Sequence, residues 1–173
     1  MNYSLIRACD IANGPGVRVA LFVSGCTHHC PGCFQPETWS FDYGQPFTQE
    51  AQQKIVSLLK PDYIEGLTLL GGEPLEPQNQ RVLLPFVEAI KELFPNKTIW
   101  AYTGYVLEEL LLRTSTDGVI TELLLSLIDI LVDGPFIEEK KNLRLQFCGS
   151  SNQRLIDLKK TKAAGKIIQW EGE

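Results

Sequence analysis

Hydrophobic positions along the chain fall into two alternating rhythms. Short apolar runs bounded by turn residues occur at Val17 to Val23, Leu67 to Leu70, Thr98 to Tyr102 and Asp129 to Val132, and again near the end at Arg154 to Leu158 and Lys166 to Trp170. Most are apolar at successive positions, which predicts strands buried on both faces, as in a parallel sheet covered by helices. The intervening segments carry a helical rhythm instead. Thr48 is placed to cap a helix reaching about Leu59, with Ile55, Leu58 and Leu59 on one face. A second helical region follows Pro77, and Pro85 within it predicts a kink or a restart. Val106 to Arg113 and Val119 to Ile128 are leucine-rich and separated by Thr114 to Gly118, which predicts two short helices. Strands alternating with helices define an α/β chain with mostly parallel strands and outer helices. At this length a partial, open β/α barrel fits better than a closed eightfold one, which needs about 250 residues.

The chain has 173 residues, 44% of them apolar and 21% charged, so a single domain over 1–173 can bury a core of its own. No apolar run approaches the roughly 20 residues of a membrane span, and Met1 to Asp10 lacks a basic stretch followed by an apolar one. The expectation is a cytoplasmic protein, neither secreted nor bound to a membrane. The net charge of -5 is uneven: residues 1–137 contribute -8 and residues 138–173 contribute +3. Lys159, Lys160, Lys162 and Lys166 give the tail its sign, and such a patch can face an acidic protein. A solvated helix face or loop explains so small a cluster more simply, and the acidic whole argues against a nucleic-acid partner.

The five cysteines change the picture more. Cys26, Cys30 and Cys33 form a C-x3-C-x2-C loop just after the strand Val17 to Val23, while Cys9 and Cys148 stand apart. An odd count without a leader argues against a disulfide framework, and thiols kept reduced are free for metal. Three thiolates can hold three irons of a four-iron cluster and leave the fourth without a protein ligand. Gly25, Pro31 and Gly32 suit a loop that wraps a bulky inorganic core. The competing reading is zinc, with His28, His29, Cys9 or Cys148 as fourth ligand; the lack of a second cysteine pair disfavours it. One of the two histidines is expected to point at solvent or a loop carbonyl. Cys9 and Cys148 are expected to be small buried residues.

A second signal closes the next strand: Leu69-Leu70-Gly71-Gly72-Glu73-Pro74. Two glycines let backbone approach a ligand, and Glu73 offers a carboxylate beside them. Such a turn is weak by itself. It gains weight because it and the cysteine loop follow successive strands, and ligands in β/α folds collect at that end.

The C-x3-C-x2-C loop followed by Gly71-Gly72-Glu73-Pro74 resembles the radical S-adenosylmethionine superfamily. Asn13-Gly14-Pro15-Gly16-Val17-Arg18 is similar to the Asp-Gly-Pro-Gly-x-Arg signature of its glycyl-radical-enzyme activases, with Asn13 in place of Asp. Val132-Asp133-Gly134-Pro135-Phe136 and Gly149-Ser150-Ser151-Asn152-Gln153-Arg154 resemble the activases of anaerobic ribonucleotide reductase in particular. The resemblance implies that Cys26, Cys30 and Cys33 bind a [4Fe-4S] cluster with one open iron. It implies that Gly71, Gly72 and Glu73 receive the amino group of S-adenosylmethionine. Thr103 and Asp133 would line the same cavity, Asn152 would contact the nucleoside or carboxylate end, and Phe34 would supply a ring against adenine. The implied reaction is reductive cleavage of S-adenosylmethionine to a 5′-deoxyadenosyl radical, which takes hydrogen from a glycine of the large reductase subunit. The electron would come from a flavodoxin or ferredoxin. A different small radical S-adenosylmethionine enzyme, acting on a nucleoside or another glycyl radical protein, is the alternative, and a non-catalytic zinc module is a more distant one.

Overall fold

Seven strands form one sheet in the computed structural model, which describes residues 1–114 and 116–172. The strands are β1 (Asn2–Asp10), β2 (Val17–Val23), β3 (Gln45–Pro46), β4 (Ile64–Gly71), β5 (Thr98–Tyr102), β6 (Ile130–Asp133) and β7 (Arg154–Asp157). They lie in the order β3-β1-β2-β4-β5-β6-β7. The four central strands, β2, β4, β5 and β6, run parallel, whereas β1, β3 and β7 join antiparallel at the edges. The α/β class is as expected; the sheet is mixed rather than mostly parallel.

The helices are α1 (Gln49–Leu59), α2 (Pro77–Leu93), α3 (Leu107–Leu111), α4 (Thr116–Leu127) and α5 (Leu158–Ala164). Thr48 caps α1 by accepting from the Ala51 N–H, and Ala51, Ile55 and Leu59 face inward. Pro85 neither breaks nor restarts α2, which continues through it with Leu83, Phe86, Val87 and Ile90 buried. Ser115, inside the expected break at Thr114 to Gly118, lies outside the described residues, and α4 already begins at Thr116.

Strand alternation divides the sheet into two different faces. Val19, Leu21, Val23, Leu67, Leu69, Ile99, Ala101 and Leu131 pack with inward residues of all five helices in one core. The intervening positions, Ala20, Phe22, Leu70, Trp100, Tyr102, Ile130 and Val132, form the opposite face, where Phe147, Cys148 and Trp170 cover part of it. Among the described residues no helix is long and apolar enough to cross a membrane.

Two departures from the expected elements have plain causes. The strand β1 has no clean alternation because its pairing with β2 shifts register twice, between Tyr3 and Leu5 and between Arg7 and Asp10. Lys166 to Trp170 meets β7 through a single bridge, Ile156 to Gln169, so it forms no strand. Of the basic tail, Lys159 and Lys160 pair with Asp129 and Asp157.

Asp129 ties three elements together. Its carboxylate accepts from the Ile99 N–H and Lys91 Nζ at 2.7 Å each, and Lys159 Nζ lies 2.5 Å away. Burial alone raises its pKa, but Lys159, Lys91 and the Ile99 N–H outweigh burial and hold it below the ordinary value. A depressed carboxylate contributes stability that is present above its unfolded-state pKa and lost as pH falls through the folded one. Asp129→Ala is therefore expected to cost about 2 kcal/mol in denaturant titrations at neutral pH, by leaving the buried Ile99 N–H unpartnered and removing the ion pairs to Lys91 and Lys159. The difference from the parent chain is expected to shrink below the ordinary aspartate value of 3.8; a gap unchanged down to the acid limit would refute this role.

Candidate metal centre

The strand β2 delivers its chain directly into the cysteine loop. Gly25 turns the loop with φ +97°, and a side chain there would strike the Phe41 ring 2.2 Å away. Backbone bonds from Gly25 N to the Thr38 carbonyl (2.8 Å) and from Cys26 N to the Trp39 carbonyl (3.1 Å) fasten the loop to the short 3-10 helix Pro36–Trp39. Cys33 N closes a turn onto the Cys30 carbonyl at 3.1 Å. Cys26, Cys30 and Cys33 all line one cavity of about 630 Å³ on the face of the sheet away from the helices. Burial pushes the Cys26 thiol up to about 11 and raises Cys30 as well. Those two thiols are thus protonated at neutral pH, and metal binding must displace their protons.

The cavity is assembled from the C-terminal ends of the parallel strands. Gly71, Gly72 and Glu73 border it at the end of β4, Tyr102, Thr103 and Gly104 at the end of β5, and Phe34, Phe136, Leu145, Phe147, Cys148 and Gly149 from the covering loops. Phe34 is 60% exposed and packs its ring 5.0 Å from that of Phe136. The sequence-expected residues separate here. Asp133 is not in the lining: it is fully buried, and its carboxylate accepts from the Leu107 N–H (2.8 Å) and from Arg154 Nε and Nη2 (2.9 and 2.5 Å). Asn152 also lies behind the lining, where its Nδ2 donates to the Pro135 carbonyl at 2.8 Å.

Glu73 and Gly72 each hold neighbouring segments in place at this end of the sheet. The buried Glu73 carboxylate accepts from the N–H groups of Leu75 (2.8 Å) and Gly104 (2.7 Å) and faces His28 Nε2 at 3.1 Å. That hydrogen bond raises the His28 pKa against the opposing effect of burial. The ring of His28 also packs edge-on to Tyr105 at 4.3 Å. His29 is exposed beside Trp39, as expected for one of the pair. Gly72 lets the backbone approach the cysteine loop: a Cβ there would lie 2.7 Å from the Gly25 carbonyl oxygen and 3.0 Å from that of Thr38.

Two supporting residues escaped the sequence reading. Asn79 of α2, fully buried, donates to the carbonyls of Ser24 (3.0 Å) and Glu73 (2.9 Å), and Glu76 accepts from both the N–H and hydroxyl of Thr27 (2.8 and 2.6 Å). Their signal was a cluster of polar residues, Glu76 to Gln80, at a helix start where inward positions should be apolar. Cys9 is exposed and Cys148 half-buried in the cavity wall, so neither is the small buried residue expected.

Among the described residues no group of three His, Cys, Asp or Glu side chains is gathered so as to hold a single metal ion. Three thiols that line one cavity suit a larger inorganic core, which three cysteines could ligate at separate irons. Residues 12–156 match the family described as the 4Fe-4S single cluster domain. More particular relatives bear the name anaerobic ribonucleoside-triphosphate reductase-activating protein. That of Pasteurella multocida is 45% identical over 88% of this chain and 95% of its own length. That of Escherichia coli K12 is 43% identical over 88% and 96%, and that of Enterobacteria phage T4 42% over 90% and 93%. The chain belongs to the family of anaerobic ribonucleoside-triphosphate reductase-activating proteins.

Because Gly72 sets the spacing between β4 and the cysteine loop, Gly72→Ala is expected to displace that loop. We expect a loss of about 1–3 kcal/mol from overpacking and fewer irons retained per chain after anaerobic reconstitution. Full iron content at unchanged thermal stability would show that the close approach is not needed.

Proposed function

We propose that the chain is a cytoplasmic radical S-adenosylmethionine activase that installs the glycyl radical of an anaerobic ribonucleotide reductase. The observation that carries this reading is the convergence of Cys26, Cys30 and Cys33 on one strand-end cavity in a chain whose relatives are named for activating that reductase. Four parallel strands, with helices on one face and the cavity on the other, are the arrangement expected of an open β/α barrel.

Cys26, Cys30 and Cys33 would hold three irons of a [4Fe-4S] cluster, leaving the fourth for the amino and carboxylate groups of S-adenosylmethionine. A cluster held there and reduced by a flavodoxin- or ferredoxin-type carrier would supply the one-electron chemistry for reductive cleavage of S-adenosylmethionine to methionine and a 5′-deoxyadenosyl radical, which would take a hydrogen atom from the glycine of the large reductase subunit to give 5′-deoxyadenosine and the glycyl radical. The protein's part is orientation and exclusion of water. The N–H groups of Gly72 and Glu73 are already spent on the carbonyls of Val23 (2.7 Å) and Gly25 (2.8 Å), so this turn presents no free N–H against an ammonium, whose acceptors would be main-chain carbonyls, the Glu73 oxygens being buried and bonded. The exposed Phe34 ring, backed by Phe136, suits stacking against adenine, and Thr103 lines the same cavity. Asp133 and Asn152 act one layer back, as positioning residues that fix the end of β6 and the Gly134-Pro135 turn.

Cys30→Ala is expected to leave a folded chain, since a loop ligand rather than core volume is removed, while abolishing cluster assembly and S-adenosylmethionine cleavage. The parent protein, reconstituted to about four irons per chain, reduced and mixed with the reductase and S-adenosylmethionine without oxygen, is expected to produce a glycyl radical signal in electron paramagnetic resonance confined to the reductase. Cleavage at the parent rate by Cys30→Ala, or no radical on the reductase, would sink the proposal.

A further inference from the structure

The acid Asp10 has no assigned work. It ends β1 opposite Arg18 of β2, and its carboxylate is withdrawn from water. Oδ1 accepts from the N–H groups of Ala12 (2.8 Å) and Asn13 (3.0 Å), and Oδ2 accepts from Asn13 Nδ2 (2.9 Å) and Arg7 Nη1 (3.2 Å). Three of these four bonds come from Ala12 and Asn13, and both residues line the cavity of the three cysteines. The same turn is fastened at a second point. The Asn13 carbonyl accepts from the Thr68 hydroxyl (2.9 Å), which accepts in turn from Arg18 Nε (2.7 Å). Gly14, at φ +133°, passes so close that a Cβ there would lie 2.7 Å from Arg18 Cδ and 3.3 Å from the Trp100 ring.

A carboxylate taken out of water needs donors of this kind, and the Asn13 side chain is one of them because it is an amide. An aspartate at 13 would set a second carboxylate where the amide now lies, 2.9 Å from Oδ2. Two carboxylates that share a site do not both ionise. The other charged or titratable groups around Asp10 are already committed. Arg7 is half-exposed and bonded to Oδ2, and Arg18 is bonded to Thr68, Thr98 and Leu67. Arg18, lowered by burial to about 10, and Tyr102, raised by burial, keep their charge states between about pH 5 and about pH 8. We propose that Asp10 is the positioning residue for the Ala12–Asn13 wall of the cavity and acts through an obligatory carboxylate–amide pair with Asn13. As a role in the reaction, this rests on the reading that the cavity receives S-adenosylmethionine.

The test compares the cluster-loaded parent with Asn13→Asp, Asp10→Asn and the exchange that carries both. In Asn13→Asp one of the two acids keeps a proton that an unfolded aspartate would lose, so its folded-state pKa is raised. Stability from such a group is present at low pH and lost as pH rises toward the raised value. The melting temperature of Asn13→Asp is therefore expected to fall further below that of the parent as pH rises from about 5 to about 8. That of Asp10→Asn is expected to lie lower without this trend. The exchange again pairs one carboxylate with one amide, and is expected to recover most of the loss and to remove the added pH dependence. With dithionite as reductant, KM for S-adenosylmethionine in 5′-deoxyadenosine formation is expected to rise about tenfold in Asn13→Asp at about pH 8, the worth of one charge-assisted hydrogen bond. The exchange is expected to return KM to near the parent value. A parent-like pH profile of melting in Asn13→Asp, or an exchange no better than the single variants, overturns the pair. Melting as expected with KM unchanged in every variant overturns the positioning role and leaves the cleavage reading intact. A parent that cleaves no S-adenosylmethionine removes that reading, and the positioning role with it.

Discussion

The site depends on one buried carboxylate. Glu73 is bonded to the N–H groups that follow it and that begin the turn after β5, and it meets His28 from the cysteine loop. Three separate strand-end segments are therefore referred to a single pair of oxygens. A carboxylate removed from water needs compensation of this kind, since an unpaired buried charge is strongly unfavourable. The same need makes the arrangement rigid: each donor is placed by its own strand, and none can leave without exposing the charge of Glu73 to an apolar interior. Asn79 extends the device to the start of the loop, holding the Ser24 and Glu73 carbonyls with one amide.

That rigidity matters because three thiols must be presented to one inorganic core. The cysteine loop has few apolar anchors of its own, with Thr27 exposed and Cys30 and Cys33 only half-buried. Its shape comes instead from Gly25 and Gly72, which let backbone pass against backbone, and from bonds to the Thr38 and Trp39 carbonyls. Site geometry here is a consequence of main-chain packing more than of side-chain choice.

The four central strands, the first helix cap and the cysteine loop were legible in the sequence because each rests on a local rule: continuous apolar runs, a Thr before a helical rhythm, and cysteine spacing. Less local features were not. The bulged register of β1 erased the alternation that would have announced it. The helix α5 is only seven residues long and is set by the Asp157 cap and by Gly165 at φ +65°. The partners of the Glu73 carboxylate were not legible, because nothing in its neighbourhood along the chain announces His28, 45 residues earlier, or Gly104, 31 residues later. Asp133 was expected in the cavity for the same reason; its partner Arg154 stands 21 residues away.

The cavity itself follows from how the face away from the helices is filled. At the start of β2, Arg18 occupies that face, fully buried, bonded to the hydroxyls of Thr68 and Thr98 and the carbonyls of Leu67 and Thr98, with its guanidinium 5.5 Å from the Trp100 ring. Burial lowers its pKa to about 10, which still leaves it charged at neutral pH. Trp100, Phe147 and Trp170 close the next stretch by edge-to-face packing. Toward the strand ends the fillers become Ala20, Phe22, Leu70 and Tyr102, which are too few to meet the covering loop. The Trp100, Phe147 and Trp170 rings fill one end of this face, and beyond the Phe22, Leu70 and Tyr102 cluster a recess is left beside the cysteine loop. A uniform inner face would have made either a solid core or an exposed apolar surface, and neither could hold a ligand against three thiols.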